Sequence, residues 1–301
     1  MTEKNSFDAI IIGGSYAGLS AAMALGRSLR TVLVIDSGSP CNRQTPHSHN
    51  FLTQDGETPA AIAAKAKEQV LQYKTVSFQN GTAVSGKKTD NGFAIDVASG
   101  ESYSAKKLVF ATGIKDLLPP LKGFSECWGI TVIHCPYCHG YEFRGQKTGI
   151  LANGERAFHL ASLVRNLTDT VTLITDKAEL TAEQVSRLQT KNVSIIEKEV
   201  VELVHQNGHL KHLVFQDGTT ESFTAVYAAV LFEQHSGIPV SLGCELTEQG
   251  HIKVDMFQKT SIAGVFACGD NTNPMRSVAA AVSAGNLTGA MVNRELTDET
   301  F

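Results

Sequence analysis

Within its first 36 residues the chain carries an apolar run, a glycine turn, an alanine-rich segment and a second apolar run closed by an acid. Residues 7–12 are short and Ile-rich, as befits a strand buried on both faces of a parallel sheet. Gly13-Gly14-Ser15-Tyr16-Ala17-Gly18 follows, then a helical pattern over 17–27, then residues 31–35 (TVLVI) and Asp36. Strand, turn, helix and strand in so short a span make a βαβ unit. The turn nearly fits G-x-G-x-x-G, with Ser15 at the second glycine. Glycines there let the backbone turn tightly and approach a pyrophosphate, which sits on the amides of the helix N-terminus. Asp36, 18 residues past Gly18, is placed to accept hydrogen bonds from a ribose. A turn that merely packs helix on strand is the competing reading; the flanking elements and the acid together favour a dinucleotide.

The rest of the chain repeats the theme more loosely. Residues 59–73 read as an amphipathic helix with Pro59 in its first turn, and turns at Asp90-Asn91-Gly92 and Ser99-Gly100 predict a small β-meander. Residues 107–111 return as a strand ending in Thr112-Gly113. A second βαβ unit is predicted from strand 147–152, a turn at Asn153-Gly154, helix 156–166 and strand 171–174, with Asp176 beyond it. Hairpin signals recur at Asn207-Gly208 and Asp217-Gly218.

A chain of 301 residues has room for two such domains. With 26 Lys plus Arg against 30 Asp plus Glu, its charge of −4 gives no electrostatic case for nucleic acid or an anionic membrane. Residues 9–26 are uncharged and touch the lower limit for a membrane span, but the glycines interrupt them after one strand. The polar N-terminus (MTEKNSFD) lacks the pattern of a signal peptide, and six scattered cysteines make no disulfide framework. A cytoplasmic protein without membrane or nucleic-acid partner is expected.

Late in the chain, Gly264 to Asp270 reads as a short apolar strand ending in Gly269-Asp270. A strand-end Asp beside Gly can approach a ribityl chain or pyrophosphate closely. The order of glycine turn, Ala111-Thr112-Gly113 and Gly269-Asp270 resembles the FAD site of flavoproteins with two dinucleotide domains. Cys135-Pro136-Tyr137-Cys138-His139 supplies a thiol pair able to close a small disulfide ring, with one thiolate as nucleophile. Other readings of this pattern are c-type haem attachment, which needs an exported chain, and zinc, with Cys127 and His134 as further ligands. Glutaredoxins share C-P-Y-C but continue into a helix, whereas residues 139–145 here read as a loop before a strand. Redox chemistry is favoured.

The pair follows Ala111-Thr112-Gly113 and precedes the second βαβ unit, a placement that resembles low-molecular-weight thioredoxin reductases over essentially the whole chain. The resemblance implies an α/β fold of two Rossmann-like dinucleotide-binding domains, the second inserted in the first. Residues 1–113 and 240–301 would form a discontinuous FAD-binding domain and residues 114–239 the insert, with 117–123 as the crossover. It further implies a homodimer, FAD as cofactor, Cys138 facing the flavin and Cys135 attacking the substrate disulfide. His139 stands where such reductases usually have Asp, and an imidazole can serve as acid/base. Gly13, Gly14, Ser15, Ala17, Gly18, Asp36, Arg43, Asn50, Ala111, Thr112, Gly113, Gly269, Asp270, Arg276, Ser277 and Val278 become the FAD-binding set. Of these, Arg276, Ser277 and Val278 open the last helix toward the flavin's pyrimidine edge.

The departures from the resemblance concern the nicotinamide. The second turn reads Ala152-Asn153-Gly154-Glu155-Arg156-Ala157, with Ala for the first glycine and an acid where a pyrophosphate would lie. Thr175-Asp176-Lys177 replaces the His-Arg-Arg that holds the 2′-phosphate of NADPH, so NADPH is disfavoured, and the site takes NADH or no nicotinamide. This pattern, with C-P-Y-C-H-G-Y-E, resembles the dithiol oxidases of gliotoxin- and holomycin-type pathways. There a small dithiol reduces the pair, the flavin takes the electrons and oxygen re-oxidises it. The expected partner is therefore a small-molecule dithiol or disulfide, or a thioredoxin-like protein. An NADPH-dependent thioredoxin reductase and a flavin-binding redox sensor are the alternatives. His47 and His49, just before Asn50 and Phe51, are weak cofactor-binding candidates, Glu142 and His235 are weak acid/base candidates, and Cys127, Cys244 and Cys268 read as structural thiols.

Overall fold

The protein is described from a computed structural model covering residues 5–301; residues 1–4, on which part of the signal-peptide argument rests, lie outside it. The chain divides into two compact units. One comprises the residues up to Arg43, Phe51–Lys115 and Phe232–Phe301; the other comprises Gln44–Asn50 and Asp116–Leu231.

The first unit begins with β1 (Ser6–Ile12), α1 (Tyr16–Arg27), β2 (Val32–Asp36), α2 (Pro59–Leu71) and β3 (Val76–Asn80). The meander β4 (Ala83–Thr89), β5 (Gly92–Val97) and β6 (Ser102–Phe110) follows. β1, β2, β3 and β6 run parallel, while β4 and β5 continue the sheet antiparallel from the first half of β6. Side chains of β1 alternate between two cores, Ala9 and Ile11 entering one and Ile10 and Ile12 the other. Each fully buried Ile contributes about 2 kcal/mol of transfer free energy. The uncharged stretch 9–26 is thus strand, turn and a largely buried helix, and no helix among the described residues is long and apolar enough to cross a membrane.

The second unit follows β7 (Ile114–Leu117) and opens with α3 (Phe124–Cys127), β8 (Val132–Ile133) and α4 (Pro136–His139). It continues through β9 (Thr148–Leu151), α5 (Gly154–Val164), β10 (Val171–Ile174), α6 (Ala182–Gln189) and β11 (Val193–Ile196). The hairpins β12 (Val200–Gln206), β13 (His209–Phe215) and β14 (Thr220–Glu221) lead to β15 (Ala225–Ala228). Its parallel sheet has the order β11-β10-β9-β15-β8, with β12, β13 and β14 as a separate antiparallel sheet. Each unit is therefore a βαβ sheet with an antiparallel meander, the repeat expected from the turn residues.

The chain returns to the first unit through β16 (Leu231–Gln234), which pairs with β7, then α7 (Ile238–Ser241), β17 (Val265–Ala267) and α8 (Val278–Asp298). β17 lies parallel to the second half of β6, so the first unit's sheet is completed by residues far from its start. α8 crosses α1 closely enough that a Cβ on Gly285 would sit 2.1 Å from the Ala17 carbonyl oxygen. Small residues at that crossing are a packing requirement.

Candidate active site

The glycine turn of the first unit is built around contacts no side chain could share. Gly13 has φ +105°, and a Cβ on it would lie 2.2 Å from the Ala111 carbonyl oxygen. A Cβ on Gly18 would lie 1.8 Å from the Gly13 oxygen, which fixes the helix against the turn. The Gly13 N–H donates to the Ile35 carbonyl (2.8 Å), and the Gly14 N–H donates to Asp36 Oδ1 (3.0 Å). Asp36 therefore stands over the turn at the end of β2, as its spacing predicted.

Ser15 occupies the N-cap of α1 without a side-chain cap, and the first turn of that helix holds no acid. The oriented amides and the helix dipole so favour an anion there. Ala111 joins the same end of the sheet by donating its N–H to the Ile12 carbonyl (2.8 Å), and Gly113 has φ +63°. A Cβ on Gly269 would lie 3.0 Å from that of Ala17, which brings the late Gly269-Asp270 turn to the start of α1. Arg276 Nε lies 3.7 Å from Asp270 Oδ2, and the Ser277 hydroxyl caps α8 by accepting from the Ala280 N–H (3.1 Å), with Val278 as the first helical residue. Arg43 is exposed and donates to the Pro40 carbonyl (3.2 Å). Asn50 is exposed at φ +60° and groups with the second unit.

The cysteine pair sits on the short helix α4. Cys135 is its N-cap, and the N–H groups of Cys138 and His139 both donate to the Cys135 carbonyl at 3.2 Å. Pro136, with its φ fixed and no N–H to satisfy, suits the first position. One helical turn followed by a 3₁₀ turn at Tyr141–Phe143 thus replaces the loop expected from the sequence. Wrapping the chain this tightly sets the two sulfurs 2.6 Å apart. His139 is half-buried, and burial first, then the neighbouring charge of His49, holds its imidazole below the ordinary range. Tyr227 of β15 lies beneath, its hydroxyl 3.1 Å from where a Gly140 Cβ would be. Burial, then the charges of Cys135 and Glu142, push its phenol upward. No cluster of His, Cys, Asp or Glu among the described residues is arranged to hold a metal ion.

The second glycine turn shares the uncapped helix start but differs in the residues around it. Ala152 is buried, Gly154 has φ +60° with nothing within 4 Å of its Cβ position, and exposed Glu155 lies in the first turn of α5. Asp176 has φ +49° and spends Oδ1 on the Val200 N–H (2.8 Å), while Lys177 pairs with Glu199 (2.7 Å). Asp176 thus holds the start of β12.

The family model for pyridine nucleotide-disulphide oxidoreductases matches residues 7–285. The chain belongs to this family. It is 34% identical to thioredoxin reductase tcpT of Claviceps purpurea, over 98% of this chain and 96% of that protein. It is 31% identical to thioredoxin reductase sirT of Leptosphaeria maculans, over 95% and 93% of the two. The crystal structure of HlmI superposes with a TM-score of 0.94 at 31% identity, covering 100% of this chain and 95% of that one. An oxidoreductase from Agrobacterium tumefaciens gives 0.91 at 35%, covering 97% and 99%. The protein is thus an enzyme, a flavin-dependent oxidoreductase of the thioredoxin reductase-like kind.

In this oxidoreductase the first turn fits a dinucleotide: the cradle is free of side chains, the helix start free of acids, and Asp36 stands at the strand end. A nicotinamide dinucleotide fits the second turn poorly, because Glu155 opposes a pyrophosphate. Sequence reasoning passed over Asn271, fully buried beside Asp270, whose Nδ2 donates to the Phe110 carbonyl (2.8 Å) and to Thr112 Oγ1 (3.3 Å). Its Oδ1 is a buried acceptor without a partner. Its position directly after Gly269-Asp270 was the available signal. The adjacency of His49 to His139 had none, for His49 comes from a segment remote in sequence. Cys127, Cys244 and Cys268 are buried, and burial pushes the Cys268 thiol up to about 12, which keeps it inert. His235 lies on an exposed bend.

Proposed function

We propose that the protein oxidises a small dithiol to its disulfide by exchange with the Cys135–Cys138 pair, with FAD as cofactor and no nicotinamide required. The observation that carries this reading is the contrast at the two turns: one cradle open to a pyrophosphate, the other closed by Glu155, with Asp176 spent on Val200. Gly13, Gly14, Ser15, Ala17 and Gly18 would hold the pyrophosphate, Asp36 a ribose, and Asp270 with the α8 start at Arg276, Ser277 and Val278 the remainder. FAD bound there supplies the two-electron acceptor that returns the pair to its disulfide. Cys135 takes the attack of a substrate thiol, Cys138 is the thiolate released, and His139 accepts the proton of the attacking thiol. In this reading residues 1–113 and 240–301 bind FAD and residues 114–239 carry the exchange pair, in a cytoplasmic homodimer.

Anaerobic mixing of the yellow holoprotein with dithiothreitol, NADPH and NADH in turn tests this. Bleaching by the dithiol alone, with recovery in air, is expected. Rapid bleaching by NADPH would instead establish a nicotinamide-dependent thioredoxin reductase. Bleaching without sustained dithiol turnover would leave a redox sensor. Cys138→Ser should abolish thiol-to-flavin transfer; retained transfer removes the pair from the mechanism.

A further inference from the structure

His139 does not stand alone at the cysteine pair. The segment Gln44–Asn50 belongs to the second unit, where Gly129 approaches Thr45 and Gln44 so closely that a Cβ would come within 3.1 Å of the threonine hydroxyl. This segment brings His49 edge-on to the His139 ring, with centroids 6.4 Å apart and planes at 86°. On its other side His49 Nε2 lies 3.5 Å from Glu142 Oε1, across the 3₁₀ turn that follows the pair. The titratable groups around the two imidazoles are Cys135 at the N-cap of α4, Cys138 within it, Glu142, His47 of the same segment as His49, and Tyr227 of β15. Helix α5, packed on α4, buries only apolar side chains (Ala157, Phe158, Leu160, Ala161 and Val164). Two imidazoles this close resist sharing two protons, and a carboxylate beside one of them decides which is charged.

We propose that Glu142 and His49 are positioning residues for His139: the carboxylate keeps a proton on His49, and that cation keeps His139 a neutral acceptor. The proposal rests on the exchange reaction given above for its chemical purpose. A substrate thiol gives its proton to His139 as its sulfur bonds to Cys135, the Cys135–Cys138 bond breaks, and Cys138 leaves as thiolate. His139 passes that proton to water and takes the second one as the other substrate sulfur attacks the mixed disulfide. Cys135 then leaves as thiolate. The substrate has lost two electrons and two protons, and the pair has gained the electrons, for which the bound FAD is the acceptor.

The test is an NMR titration of isotopically labelled histidine rings in the FAD-loaded protein, with His139→Gln and His49→Gln assigning the signals. In the parent protein His139 should titrate below His49. Glu142→Gln, a nearly isosteric change at an exposed position, should lower the His49 midpoint and raise that of His139, each by about one unit. Glu142→Asp should restore most of the difference. A carboxylate acting on His139 only through space predicts the opposite sign, so a fall in the His139 midpoint in Glu142→Gln, or no change, overturns the proposal. The acid limb of the dithiol reaction should follow, slowing about tenfold on that limb. Failure of dithiothreitol to reduce the parent protein would overturn the assigned reaction, while the histidine midpoints still decide the relay.

Discussion

The two glycine turns have the same place in two similar sheets and opposite chemistry. At Gly13–Gly18 a side chain is excluded by the protein's own backbone, and Asp36 accepts a turn amide. At Ala152–Ala157 the Gly154 position has open space, Glu155 occupies the first helical turn and Asp176 is turned to the Val200 amide. The packing of this βαβ unit does not rest on its turn residues, because Val171, Leu173 and Ala157 hold strand and helix together. Fold likeness between the units does not carry ligand likeness; the turn residues do.

Substitution at the two turns should break the comparison most sharply. Gly18→Val places atoms on the Gly13 carbonyl, and we expect the loss of more than about 4 kcal/mol and of nearly all bound FAD. Gly154→Ala should cost only about 1 kcal/mol of positive-φ strain and leave FAD unchanged. The flavin-to-protein absorbance ratio and thermal unfolding measure both; equal losses at the two turns would refute the contrast.

Buried charge also separates the units. Lys107, at 4% exposure in the second half of β6, pairs with Glu295 (2.7 Å) and Glu299. The buried polar side chains described for the second unit are hydroxyls: Ser48, Thr131, Thr148, Thr168, Thr172 and Thr175. Lys107→Ala should cost about 2 kcal/mol, because half-buried Glu295 loses one of its two lysine partners. Burial pushes Glu295 up, but hydrogen bonds from Lys107 and Lys259 outweigh it and hold its carboxyl below the usual range. Its stabilisation is therefore present above about pH 4.5 and lost as pH falls through the depressed folded value. Acid release of FAD, followed by flavin fluorescence, should begin at higher pH in Lys107→Ala. An unchanged midpoint would remove this network from the unit's stability.

The two aspartates at the ends of β2 and β10 give a smaller, sharper contrast. Asp36→Ala leaves the Gly14 amide without its acceptor and should weaken FAD binding by about 1–3 kcal/mol. Asp176→Ala should cost about 1 kcal/mol of stability through the Val200 amide, with no effect on FAD. Flavin titration of the two apoproteins, with thermal melts alongside, separates a ligand from a structural acceptor.

What the sequence made legible follows from how local the cause is. The short apolar strands, the glycine turn and Asp36 are set within a few dozen residues, and the structure has them where the pattern put them. Gly269-Asp270 could be read because a strand-end Gly-Asp is itself a local signal. The grouping of Gln44–Asn50 with the second unit could not, since it depends on Gly129 admitting Thr45, a contact with no period in the sequence. His49 and Glu142 were for that reason separate weak candidates, and only the fold makes them neighbours. Asn271 was hidden differently: a buried amide looks like any loop polar residue until its partners, Phe110 and Thr112, are known.

The smallest expected effect tests whether the second cradle is closed by one charge or by its whole construction. Glu155→Gln removes the acid from the first turn of α5, where a charge is worth about 0.3–1 kcal/mol to an anion at the helix start. Affinity for NADH or NADPH should rise by no more than about fivefold. Ala152 still fills the turn, and Asp176 and Lys177 remain tied to Val200 and Glu199. Equilibrium dialysis of the FAD-loaded variant against each nucleotide gives the answer. A gain of a hundredfold or more would mean that Glu155 alone shuts the site and that the remaining residues still form a nicotinamide cradle. A gain within the expected range places the loss in the backbone and its hydrogen bonds, where a single substitution cannot reverse it.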